Sequence, residues 1–180
     1  MNRSNYWVHL QYGLLAFLSV LLVLILMGTI GSALGYSLDT GLLPCPLCYL
    51  QRSAMMVVGI AALLNVRLGS RPGHDALMLL AALVGGAVSI RQILLHLCPG
   101  FPTYDAHLFG LGLYTWAFLV FVGTILFVVV HLTLLDAVPD RAPVIKNKIY
   151  TAVEILFGLL ILVNLAEVVW QCGWGPCQDV

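Results

Sequence analysis

The chain has 180 residues, of which 61% are apolar and only 9% charged, and its mean hydropathy is +1.01. Soluble domains carry about 25% charged residues, so a soluble globular fold is excluded and a polytopic membrane protein is expected. Eight basic residues balance eight acidic ones, and this neutrality speaks against a nucleic-acid partner.

From Asn5 to Leu38 there is no Asp, Glu, Lys or Arg. A spanning helix needs about 20 apolar residues, and Leu14–Leu34 supplies the first span. Arg3 ahead of this run and the small residues Gly31, Ser32 and Ala33 raise a signal peptide as the alternative. The apolar core exceeds the usual h-region of about 7–15 residues, so the run is read as a retained span. Gly35–Pro44 reads as a short loop. The second span is expected over 45–66, followed by turn chemistry at Arg67, Gly69, Arg71, Pro72 and Gly73. The third runs over 76–97 and is ended by Pro99, Gly100 and Pro102. The fourth covers 111–135, and a polar loop with Asp136, Asp140, Arg141, Lys146 and Lys148 leads to the fifth, over 149–171. Residues 1–180 are thus expected to form a single all-α integral membrane domain of five transmembrane helices.

Basic residues near span ends orient such a chain. With the N-terminus in the cytoplasm, Arg3, Arg67, Arg71, Arg141, Lys146 and Lys148 all lie on the cytoplasmic side, and the C-terminus lies outside. Cys45, Cys48, Cys98, Cys172 and Cys177 then all land at the outer face. In a bacterium that compartment forms and exchanges disulfides.

Pro44-Cys45-Pro46-Leu47-Cys48-Tyr49-Leu50-Gln51-Arg52 carries the strongest signal. Two cysteines three apart at the start of an apolar helix make a close thiol pair near its positive end, where a thiolate is favoured. Arg52 lies one turn deeper on the same face. A cation inside a span points to function, although snorkelling to lipid headgroups would also accommodate it. Arg91 in the third span and Glu167 in the fifth sit at similar depth. Either Glu167 pairs with a cation, Arg91 being favoured over Arg52, or the charges line a polar pocket where a quinone headgroup accepts hydrogen bonds from Arg and His. His96 lies near the same interface, as a site residue or as a histidine at a loop edge. His107 and His131 stand at opposite ends of the fourth span and cannot share one haem iron. Tyr114, Trp116, Trp170 and Trp174 fit an interfacial aromatic belt. Cys172 and Cys177 flank Gly173-Trp174-Gly175-Pro176, a bend able to close either a clasp or a second redox pair. Cys98 is the odd cysteine, and its partner is left open.

At P-C-P-L-C-Y-L-Q-R the chain resembles the DsbB family of disulfide-bond formation proteins, over roughly residues 10–135. The resemblance is sharpest at Cys45, Cys48 and Arg52 and weaker at Arg91 with Gln92. It implies a four-helix core in the bacterial inner membrane. It also implies electron transfer from a periplasmic thioredoxin-like dithiol protein, DsbA-like, to ubiquinone or menaquinone. Cys45 and Cys48 would be the quinone-linked pair, with Cys48 facing the quinone and Arg52 holding its headgroup. The well-known members have four spans and a second cysteine pair in a long loop between the third and fourth. Here that loop is short, holds only Cys98, and a fifth span delivers Cys172 and Cys177 instead. The expected activity is thiol:quinone oxidoreduction, with catalytic Cys45, Cys48, Cys172 and Cys177, cofactor-binding Arg52, Arg91 and His96, and no metal. Two rivals stand beside it. One is the same thiols delivering reducing electrons outward. The other is a structural subunit braced by a zinc site of Cys45, Cys48, Cys172 and Cys177.

Overall fold

The computed structural model describes residues 3–41, 45–97, 107–108, 110–136 and 147–173. Five helices account for nearly all of them: α1 (Arg3–Thr40), α2 (Pro46–Leu68), α3 (Pro72–Leu97), α4 (Leu113–Asp136) and α5 (Lys148–Cys172). Each contains a segment long and apolar enough to cross a membrane. The fold is an all-α membrane helix bundle. A two-residue antiparallel ribbon, β1 (His107–Leu108) with β2 (Leu111–Gly112), precedes α4.

Helices α1 to α4 form a four-helix bundle in which each packs on its sequence neighbour and α1 closes against α4. Helix α5 docks outside that bundle, on α1 and α2. In lipid, helix association depends on close packing rather than on removing apolar surface from water, so small residues gather at the contacts. The buried stripe of α3 runs Asp75, Met78, Ala81, Ala82, Gly85, Gly86, Ser89 and Gln92, at helical spacing. It packs against α2, whose buried residues include Ala54, Val58, Ala61 and Ala62. Two glycines receive aromatic knobs. A Cβ on Gly85 would run into the Phe121 ring of α4, and one on Gly59 into the Phe157 ring of α5. Leucines such as Leu80, Leu126 and Leu162 face outward, each more than 60% exposed, as a lipid-bathed surface requires.

Polar side chains collect at the two ends of the bundle. At the end holding Arg67 and the start of α5, the buried Asp75 links three helices. Its Oδ1 accepts from Asn65 Nδ2 at 2.8 Å, and its Oδ2 lies 3.0 Å from His131 Nδ1. Asn65 Oδ1 accepts from the Arg71 backbone N–H at 3.1 Å and lies 2.9 Å from His74 Nδ1. Ser19 of α1 completes the cluster, 3.5 Å from His131 Nε2. His131 is therefore a packing residue shared among α1, α3 and α4.

One expectation for the backbone is corrected. The segment after Leu34 is not a loop, because α1 continues unbroken to Thr40 and ends at Gly41, whose φ of 65° takes the chain out of the helix. Gly35 meets no neighbour that would disturb helical geometry. The extra turn and a half carries Ser37 to the site described next.

Candidate functional site

The site lies at the opposite end of the bundle and begins with the N-terminus of α2. Pro46 occupies the first helical position, where its fixed φ and missing N–H cost nothing. Cys45 is the N-cap, with φ −68° and ψ 156°. Its carbonyl accepts from Cys48 N–H at 2.9 Å and from Tyr49 N–H at 3.3 Å, and its sulfur also accepts from Cys48 N–H, at 3.3 Å. The thiol thus fills the acceptor role that a serine hydroxyl usually plays at a helix start. The consequence is proximity: both cysteines are free, half-buried, and their sulfurs lie 2.7 Å apart. An amide from α3 covers them. Gln92 Nε2 stands 3.4 Å from Cys45 Sγ and 3.4 Å from Cys48 Sγ, while its Oε1 accepts from Gln51 Nε2 at 2.8 Å. Gln51 and Gln92 are both buried, so this small network fixes which way the Gln92 amide points.

Arg52 is buried as well, and it does not snorkel. Its Nη1 donates to Glu167 Oε2 at 2.8 Å and its Nη2 to the Ala33 carbonyl at 2.9 Å. Ser37 Oγ donates to the other carboxylate oxygen, Oε1, at 3.1 Å. The Arg52 guanidinium carbon also stands 5.8 Å from the centre of the Tyr49 ring, within cation–π range. Glu167 therefore pairs with Arg52, and the preference for Arg91 is corrected. Arg91 is exposed, because Gln92, its neighbour 100° further round α3, takes the inward position.

His96 is half-buried, one turn beyond Gln92. Its Nδ1 lies 2.8 Å from the Gln92 carbonyl, and its ring stacks on Tyr114 with centroids 4.5 Å apart. Tyr114 therefore packs inside the site rather than in an aromatic belt. The other imidazole nitrogen, Nε2, is buried and has no hydrogen-bond partner among the described residues. Cys172 is the last residue of α5, at the same end of the bundle as Cys45. Gly173 follows with φ 58° and donates its N–H to the Val169 carbonyl at 3.0 Å, which stops the helix there. Cys98 and Cys177 lie outside the described residues, as does Trp174.

Sequence reasoning gave Gln51 no role and named Gln92 only through a resemblance. The signal available was an amide inside an apolar span, where a polar side chain needs a partner. Gln51 and Gln92 stand on different helices, 41 residues apart, so no spacing rule could reveal the pair.

Residues 15–103 match the family model described as Disulfide bond formation protein DsbB. The likeness to the DsbB family is established over this segment. It includes the Cys45–Cys48 pair, Arg52, Gln92 and His96, and it ends before α4. The relatives agree. Disulfide bond formation protein B of Chromobacterium violaceum is 45% identical over 78 residues, 40% of this chain and 46% of the relative. The protein of the same name in Nitrosomonas eutropha is 38% identical over 106 residues, 54% and 65% of the two chains. That of Pseudomonas syringae pv. tomato is 40% identical over 76 residues, 41% and 45%. The match spans about half the length of most of these relatives. No solved structure matches the chain significantly. The DsbB likeness is thus narrower than the expected residues 10–135, and α5 with Glu167, Cys172 and Cys177 falls beyond it.

Proposed function

We propose that this DsbB-like chain is a membrane thiol:quinone oxidoreductase that supports disulfide-bond formation by reoxidising a thioredoxin-like dithiol protein. The observation that carries this reading is the Cys45–Cys48 pair itself, with sulfurs 2.7 Å apart at a helix N-terminus and both within 3.4 Å of one amide nitrogen. In the oxidised state the two sulfurs share a bond. A thiolate of the incoming dithiol attacks one of them, giving a mixed disulfide and releasing the other as a thiol or thiolate. The second thiol of that dithiol then attacks its own first sulfur and expels the cysteine bonded to it, so the dithiol leaves as a disulfide and Cys45 and Cys48 remain as a dithiol. Through both steps the negative charge on the leaving sulfur is met by the Gln92 amide and by the positive end of α2.

The residues at this end fit a quinone. With Nδ1–H donating to the Gln92 carbonyl, the neutral His96 ring presents Nε2 as an acceptor; it is buried without a partner among the described residues, and it suits the hydroxyl of a quinol. Arg52 would add a cation at the depth of the site and Arg91 a second one at its margin. A quinone, when bound, supplies an acceptor for two electrons and two protons. Ubiquinone and menaquinone fit these residues equally. Orientation follows the basic residues, with the N-terminus in the cytoplasm, the cysteine end at the periplasmic face of a bacterial inner membrane, and the C-terminus outside. Cys172 and Cys177 are then the entry pair, taking the partner's electrons and passing them to Cys45.

The test uses the purified chain in lipid nanodiscs, without oxygen, given a reduced DsbA-like protein and either quinone. Quinol forms in step with partner disulfide, and Cys45→Ser or Cys48→Ser abolishes both. Dithiol oxidation that needs no quinone, or survives these substitutions, refutes the proposal. Stoichiometric zinc in the purified protein would instead favour a structural thiolate site.

A further inference from the structure

We infer that Glu167 on α5 is a positioning residue for the Cys45–Cys48 site: it fixes Arg52 and limits how much of that cation's field reaches the two sulfurs. The inference rests on reading that pair as the redox centre. Arg52 follows Cys48 by one helical turn, which places a permanent cation directly beneath the pair. The Arg52 and Glu167 side chains are each only 9% exposed. At that burial neither would be tolerated alone.

Glu167 is held from two helices. Arg52 of α2 donates to one of its oxygens and Ser37 of α1 to the other. Two more α2–α5 contacts set the register that brings it level with Arg52. Phe157 fills the notch at Gly59, and Arg67 Nη1 donates to Glu154 Oε2 at 3.0 Å. This helix lies outside the matched segment 15–103, so the carboxylate comes from beyond the DsbB-like part, while Arg52 and Ser37 lie within it.

Reducing the Cys45–Cys48 disulfide breaks one S–S bond and adds two electrons. The products are sulfurs that carry either protons or negative charge. A cation nearby favours the negatively charged products, and a carboxylate on that cation offsets the effect. Gln92, the side chain of α3 that faces the sulfurs, is neutral, and Arg91 points away. The balance between Arg52 and Glu167 therefore governs how readily the pair stays reduced.

The experiment equilibrates the full-length protein in glutathione redox buffers, traps thiols by alkylation, and reads the Cys45–Cys48 peptide by mass. Glu167→Gln keeps the hydrogen-bonding shape and removes the charge. Its equilibrium constant shifts toward the dithiol by about tenfold, the order expected when a facing charge is lost. In an Arg52→Met background the same substitution shifts nothing, because no cation remains whose field Glu167 could offset. Ser37→Ala loosens the carboxylate, gives a smaller shift in the same direction, and carries the test should Glu167→Gln not fold. A folded Glu167→Gln protein at the wild-type equilibrium overturns the inference. So does an equal shift without Arg52, or, where only Ser37→Ala folds, a wild-type value there. The readout uses neither quinone nor soluble partner. A wild-type pair that exchanges with glutathione but is not oxidised by quinone removes the proposed function and leaves this inference standing.

Discussion

Gln92 shows how one side chain can serve both chemistry and packing. Its amide N–H groups face both sulfurs and its carbonyl oxygen holds Gln51. Gln92→Leu keeps the bulk but removes the donors and strands the buried Gln51 amide. Stranding one such group costs about 1–3 kcal/mol, which unfolding in mixed micelles measures. Dithiol oxidation slows in addition by about tenfold or more, as when one preorganised donor to a developing charge is lost. Stopped-flow rates with Gln51→Leu separate the two roles, because that variant loses the support of Gln92 but keeps its donors. The residues themselves were only partly legible from sequence. A C-x-x-C pair followed by arginine announces itself, since thiols and a cation are rare in a span. The partner of Glu167 did not, because Arg52 and Arg91 offer the same charge at the same depth. The choice turns on helix rotation, and that is settled by Gln92 facing inward beside Arg91.

At the level of helices, the five spans could be read because charge-free runs of sufficient length have few alternatives. Their ends were harder. Gly35 to Asp39 looked like a loop from composition, yet α1 passes straight through it, because a glycine with no crowded neighbour is tolerated inside a helix when flanking turns pack. Which helix touches which was also hidden, since each span is apolar all round and the fit lies in shape. Gly85 against Phe121 is the clearest case. Gly85→Ala places a methyl against that ring and should cost about 1–3 kcal/mol through overpacking. Adding Phe121→Leu recovers part of the loss. Thermal unfolding of the two variants checks this, and equal stability of Gly85→Ala and wild type would contradict the packing described.

Across the whole molecule, the two polar clusters divide the labour. The Asp75 cluster joins all four helices α1 to α4, at the end of the bundle away from the cysteines. Removing one partner of a buried pair costs about 3–5 kcal/mol. Asp75→Asn therefore lowers the unfolding midpoint while leaving the glutathione equilibrium of Cys45–Cys48 unchanged. A changed equilibrium in the folded variant would show that the two ends communicate.

The docking of α5 outside the four-helix bundle has a mechanical consequence. Among the described residues it is held by an aromatic knob, two ion pairs and the Ser37–Glu167 hydrogen bond, and only 17% of its membrane window is buried, against 44% for α1. Pulled from the C-terminus in a bilayer, it should detach first, as a separate low-force step of one helix length, while α1 to α4 hold together. Once it detaches, Arg52 has lost its carboxylate, so tension on the tail would alter the charge beneath the cysteines before any other helix moves. Force spectroscopy would show that step shortened or missing in Phe157→Ala, and a single cooperative rupture of all five helices would exclude it.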